Sequence, residues 1–248
     1  MKTFLTATAV LCLALTSMAA SKQPLRVSED YIKSRIIDLQ EKDINKVFTP
    51  ELAQLEADAS TITYFFPTYD FMSFDWRGGV FDVCSDNPTV TIENVTILDQ
   101  THADVKMRYH DGDCYDIPYT LKMLSGRDWF IDDVIYEDPD LDAYQSTERM
   151  RLAEALEPFY NASSAQLNQM VKDVETFCLE SVPYLKKDIK SKDADLASQT
   201  FESASNMVNR ILDFAKLIEK HDNYSKDMGK RLQKLSNMIC KELKINNK

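Results

Sequence analysis

Residues 89–136 read TVTIENVTILDQTHADVKMRYHDGDCYDIPYTLKMLSGRDWFIDDVIY, and the reading of this stretch decides the fold. From 102 to 110, Ala103, Val105, Met107 and Tyr109 alternate with His102, Asp104, Lys106, Arg108 and His110. A period of two marks a strand with one buried and one wet face, because successive side chains of an extended chain point to opposite sides. Asp111-Gly112 follows at once and supplies the positive φ of a tight hairpin turn. The next strand sets Tyr115, Ile117, Tyr119, Leu121 and Met123 on one face. Pro118 inside it has no N–H to give to a ladder, so an edge or a bulge is expected there. Ser125-Gly126 turns the chain into a last strand over 128–136. Upstream, 90–98 is a further strand whose phase changes between Ile92 and Val95, which predicts a bulge near Asn94. The whole is an antiparallel meander.

Helices precede it. Ser28-Glu29-Asp30 offers a cap and first-turn acids, and Tyr31, Ile32, Arg35, Ile36 and Leu39 follow at helical spacing. Lys42-Asp43 interrupts the pattern. Thr49-Pro50 restarts it, with Thr49 as cap, Pro50 at the first helical position, and Leu52, Leu55, Ala59, Ile62 and Phe66 facing inward. Residues 64–88 are rich in Tyr, Phe and Trp and are expected to form a long loop with short strand pieces. Two helices before a curved meander make an α+β unit, taken as residues 22–142.

Beyond 142 the composition changes. Ser146-Thr147-Glu148 can open a helix, which Pro158 should kink or end. Three apolar stripes follow: Leu167 to Ile189, Leu196 to Ile218, and Tyr224 to Leu243. Breaks near 190–195 and 221–223 make this an all-α three-helix domain, 147–248, in up-down-up order.

Residues of about 25–138 resemble a bacterial family of exported domains of unknown function with the cone-shaped nuclear-transport-factor-2-like (cystatin-like) fold. Phe48-x-Pro50-Glu51-Leu52 and the final strand Arg127-Asp128-Trp129-Phe130-Ile131-Asp132-Asp133-Val134 carry the resemblance. It implies helices packed into a concave sheet with a pocket at the wide end. Some enzymes of that superfamily place an Asp, His or Tyr in the pocket for proton transfer, while many members bind peptides, small ligands or other subunits without catalysis.

Residues 1–20 read as a signal peptide. Met1-Lys2 is positive, residues 9–15 are apolar, and Ser17-Met18-Ala19 sets small residues around a cleavage site near Ala19. The expectation is an exported, periplasmic or secreted protein, with no membrane span because no apolar run is long enough. A net charge of −11 over 248 residues argues against nucleic acid as the partner, since phosphate binding needs a basic surface.

After Cys12 of the leader, four cysteines remain: Cys84, Cys114, Cys178 and Cys240. Export permits disulfides, with three connectivities open. Their distribution, two to each half, favours Cys84–Cys114 and Cys178–Cys240. Cys178 and Cys240 each lie roughly 15 residues into their helices, at similar heights on parallel rods. Such loops are worth about 3.5–4.5 kcal/mol in the chain-entropy estimate. The alternative is four buried thiols.

No catalytic signature is present, nor a cofactor motif or metal spacing. His102 and His110 sit too far apart along a strand to share a metal, and His221 reads as a loop residue. The acids Asp82, Asp86, Asp111, Asp113 and Asp116 gather around turns but match no calcium loop. Asp132-Asp133 is the one carboxylate pair worth weighing. Neighbouring strand residues point to opposite faces, so one of the two could face a pocket and serve as a base. Tyr109, Tyr119, Trp129 and Tyr136 are candidates to line it. Two readings follow. The preferred one is a non-enzymatic binding or interaction module for a small ligand, peptide or protein. The other is a small isomerase, dehydratase or hydrolase using Asp132 or Asp133.

Overall fold

The computed structural model describes residues 27–40, 46–67, 89–112, 115–136 and 147–245. Among them the chain is α+β, a four-stranded antiparallel sheet with six helices. In order these are α1 (Glu29–Gln40), α2 (Pro50–Phe65), β1 (Thr89–Ile97), β2 (His102–Asp111), β3 (Tyr115–Ser125), β4 (Trp129–Tyr136), α3 (Glu148–Tyr160), α4 (Ser164–Asp188), α5 (Ala194–Glu219) and α6 (Lys226–Leu243). The chain divides into two compact units, Met1–Gln54 with Met72–Arg151, and Leu55–Phe71 with Leu152–Lys248. The expected leader, Cys84, Cys114, Asp82, Asp86 and Asp113 lie outside the described residues, as does the aromatic run beyond position 67. Tyr64 and Phe65, expected in that loop, belong to the last turn of α2.

The first unit is built on the meander, in the order β1-β2-β3-β4. Gly112 turns β2 toward β3 with φ 55°, the left-handed conformation that favours glycine. The bulge expected near Asn94 is present, between Ile92 and Asn94. Pro118 sits on β3, which has neighbours on both sides, yet the ladder to β4 extends only as far as Tyr119↔Tyr136. Pro118 itself pairs with Arg108 of β2, and among the described residues none of β4 stands opposite it. The outer edge of β4 is covered. Thr49 donates its N–H to the Ile131 carbonyl at 2.8 Å, Ile131 donates to Val47 O at 2.9 Å, and Ile135 bridges Thr147. Such pairing satisfies groups that an open edge would offer to another chain.

Helix α1 has Ser28 Oγ accepting from the Tyr31 N–H at 3.3 Å, as its cap position predicts. Ile32, Ile36 and Leu39 are buried, and so is Arg35. The guanidinium of Arg35 pairs with Asp128 at 3.0 Å, donates Nε–H to the Trp129 carbonyl at 3.2 Å, and lies over the Phe130 ring. A buried cation needs such partners, because unpaired it would lose its hydration without return.

In the second unit, Ser163 and Gln166 form a reciprocal capping box at the start of α4, and Asp193 caps α5. Pro158 falls two residues before the end of α3, while α4 continues through Pro183. Phe214 of α5 gathers Phe65, Phe66 and Phe159 at centroid distances of 5.8, 6.1 and 6.5 Å. His221 lies in the turn between α5 and α6, as expected, and is buried there. Its Nε2 meets the Phe159 carbonyl at 2.9 Å and its Nδ1 accepts the Asn223 N–H at 3.0 Å, joining the α5–α6 turn to the end of α3.

Helices α4 and α6 run parallel. Glu175 and Arg231 pair, and so do Lys186 and Glu242, a spacing of eleven residues on each helix. This register corrects the expected Cys178–Cys240 bridge. It sets Cys240 level with Tyr184, six residues or about 9 Å beyond Cys178 along the axes. A disulfide needs Cα atoms within about 6.8 Å. Both cysteines are buried and no disulfide joins them.

Candidate functional site

Asp132 and Asp133 lie where β4 departs from strict alternation. Lys122 pairs with Asp133 and Met123 with Ile131, so Asp132 is an extra residue that faces no partner on β3. The bulge leaves Ile131 and Val134 buried and sets both carboxylates at half-buried positions between them. Alternation alone would have turned one of the two inward; the bulge is why neither occupies the buried inner face.

Each carboxylate has a structural task. Asp132 Oδ1 accepts from the Thr49 hydroxyl at 2.9 Å and forms an ion pair with Arg149 Nη2. The same guanidinium donates Nε–H to the Asp132 carbonyl at 2.7 Å and reaches the Thr49 hydroxyl at 3.3 Å. Thr49 precedes Pro50 as expected, but its hydroxyl serves Asp132. Asp133 Oδ1 accepts the backbone N–H of Arg149 at 3.0 Å and of Val134 at 2.8 Å. The first of these lies in the opening turn of α3, where unpaired amides and the helix dipole favour an anion. The pair is a junction that fixes Thr49, β4 and the start of α3.

Tyr109, Tyr119, Trp129 and Tyr136 share the inner face and are buried there. Tyr119 stands directly opposite Tyr136, and Tyr109 is its diagonal neighbour across β2 and β3. The Tyr109 hydroxyl donates to Asp111 Oδ2 at 3.3 Å. The Tyr136 hydroxyl donates to Glu148 Oε2 at 2.7 Å, and Arg151 lies 3.5 Å from that carboxylate and over the Tyr136 ring. Burial, and then the Glu148 carboxylate, hold the Tyr136 phenol far above its ordinary range, so it remains a protonated donor. These rings fill the inner face, together with Val105, Met107, Leu121 and Met123, none more than 1 % exposed.

Four residues here were not foreseen as partners of the candidates. Asp111, read as a turn acid, is fully buried, and Glu148, read as a helix opener, is buried under Tyr136. Arg149 and Arg151 flank it at positions where periodicity carries no information. A single signal was available: Glu148 sits in the first turn of a helix close after a strand rich in aromatic residues.

Elsewhere, His102 is exposed and pairs with Asp99 at 3.0 Å, and Asp116 is exposed and pairs with Arg108 at 3.1 Å. Among the described residues no group of three or more His, Cys, Asp or Glu is placed to hold a metal ion. An open concavity runs along Gln199, Glu202, Ser203, Ser205, Asn206 and Asn209 of α5. Its amide and hydroxyl lining contains one carboxylate and no base beside a nucleophile. No helix of the described residues is long and apolar enough to cross a membrane. Compared with models of protein families, with curated proteins and with solved structures, the chain matches none of them.

Proposed function

We propose that the chain is an exported, non-enzymatic binding or interaction module, in which a cone-shaped α+β domain is followed by a helical one. The bulge at Asp132 carries this reading, because it keeps both candidate bases out of the inner face and in contact with Arg149. A general base must reach a substrate proton with a free lone pair. Here Asp132 Oδ1 meets a guanidinium and a hydroxyl, Asp133 Oδ1 meets one helix amide and one strand amide, and the aromatic residues that would line a substrate pocket are themselves buried. The competing isomerase, dehydratase or hydrolase reading requires the opposite arrangement.

The test is a thermal-shift ligand screen run beside turnover assays with ester, hydroxy-acid and enolisable ketone substrates. Wild type, Asp132→Asn and Asp133→Asn should show no turnover. Asp132→Asn should lose about 1.5–3 kcal/mol of stability in urea denaturation, the range for a hydrogen bond to a charged group. Turnover by the wild type that one Asn variant abolishes without loss of fold would sink the binding reading. Export is tested by the mass of the protein recovered from a secreting host. The expected product begins near Ala20, and an intact Met1 in a soluble extracellular product would refute cleavage there.

A further inference from the structure

Strand β1 closes one side of the sheet. The β4 edge is covered by Val47, Thr49 and Thr147, but among the described residues no backbone hydrogen bond leaves the outer edge of β1. Proteins commonly guard such an edge with Pro or with charged side chains, Lys above all. Thr89–Ile97 contains no Lys, Arg or Pro, and its one charged residue, Glu93, is drawn back onto β2 by Arg108 at 2.5 Å. The inner column of the strand is also incompletely covered. Val90, Ile92, Val95 and Ile97 stand opposite Tyr109, Met107, Val105 and Ala103, all of which are buried. Of the four on β1 only Val95 is buried, and Ile97 is 36 % exposed. The bulge between Ile92 and Asn94 reverses the phase at mid-strand. Apolar residues therefore fall at Val90, Ile92, Val95 and Ile97 and threonines at Thr91 and Thr96, each set symmetric about Glu93-Asn94.

We infer that the edge of β1 pairs with β1 of a second copy of this chain, antiparallel about a two-fold axis at Glu93-Asn94, so that two sheets become one. An isologous contact needs a surface complementary to itself. In this register Val90 meets Ile97, Ile92 meets Val95 and Thr91 meets Thr96 of the second copy. Apolar side chains then face apolar ones on the inner side, and threonines, which hydrogen-bond across strands, face threonines on the outer. A bulge can guard an edge by twisting it. Here the two bulges meet each other at the axis, so neither shifts the flanking residues out of register. A foreign strand could satisfy the same backbone groups, but symmetry about the strand's own midpoint is a property that only pairing with a copy requires. The net charge of −11 opposes association at low salt, and it is screened beyond about 8 Å at physiological ionic strength.

The experiment is sedimentation equilibrium of the full mature chain at physiological salt. A single strand pair is a small interface, so wild type should pass from monomer to dimer between about 5 and 200 µM. Thr91→Glu with Thr96→Glu sets acids directly opposite acids on both sides of the axis and should weaken association roughly tenfold or more. Thr91→Glu with Thr96→Lys sets acid opposite base and should associate at least as tightly as wild type. Both threonines are exposed, and the second variant also suits Arg108 and Asp104, their neighbours on β2, so it keeps the fold. A wild type that is monomeric at about 200 µM would overturn the inference. Equal association of all three proteins would overturn it too, by placing the contact elsewhere. So would capture of an unrelated extended peptide by a monomeric wild type, which would give the edge to a foreign strand. β1 and β4 are opposite ends of the strand order, so failure here leaves the reading of Asp132 and Asp133 standing.

Discussion

Trp129→Ala should destabilise the protein by about 3–5 kcal/mol, the range for removing a large aromatic side chain from a core. Trp129 opens β4, is completely buried, and faces Ser125 across the ladder. Its backbone is held from outside the sheet, because Arg35 donates to its carbonyl and pairs with the preceding Asp128. Tyr31 donates to the same Asp128 at 3.1 Å. These bonds keep the strand from moving inward to close the void. The cavity term is then retained in full beside the lost transfer energy. Urea denaturation checks the value. Phe130→Ala is the control, since Phe130 is half-exposed on the other face and should lose less than about 1.5 kcal/mol. A loss that small at Trp129 would mean that the site collapses freely and that Arg35 does not pin it.

The meander was legible because its signals are local. Alternation from Ala103 to Tyr109, the Asp-Gly turn and the phase change near Asn94 each occupy a few residues, and each reappears in the structure. Helix starts at Ser28, Thr49-Pro50 and Thr147 were legible for the same reason. The bulge at Asp132 was not. Ile131, Asp132, Asp133 and Val134 contain no Gly or Pro to mark an insertion, and their register is set by β3 and by Arg149, residues distant in sequence. The partners of the candidate site share this difficulty. Glu148 and Asp111 are charged, so pattern alone places them in water; in the structure Glu148 meets the Tyr136 hydroxyl and Arg151, and Asp111 meets the Tyr109 hydroxyl. The cysteine pairing failed on a different point. Heights were counted from the helix starts, whereas the true register is fixed by Arg231 and Glu242 against α4.

Native protein should leave Cys178 unreactive to iodoacetamide at pH 8 and should lose stability above pH 9 through that thiol. Cys178 is completely buried, and burial pushes its pKa up from 9.0 to about 12. The sign follows from proton counting. Between these values the unfolded chain has released the thiol proton while the folded chain keeps it, so the unfolded state binds fewer protons and stability falls as pH rises. The contribution is intact below pH 9. It declines through the folded value, by at most about 4 kcal/mol near pH 12. Lysines and tyrosines titrate in the same window, so the readout is the difference between wild type and Cys178→Ala. The variant should start lower because it leaves a small cavity, and its alkaline slope should be flatter. Parallel slopes would show that the thiol titrates as freely folded as unfolded. Labelling in denaturant supplies an independent arm. Cys178 should react there without any reductant, and a thiol that reacts only after reduction would restore the cross-link that the α4–α6 register excludes.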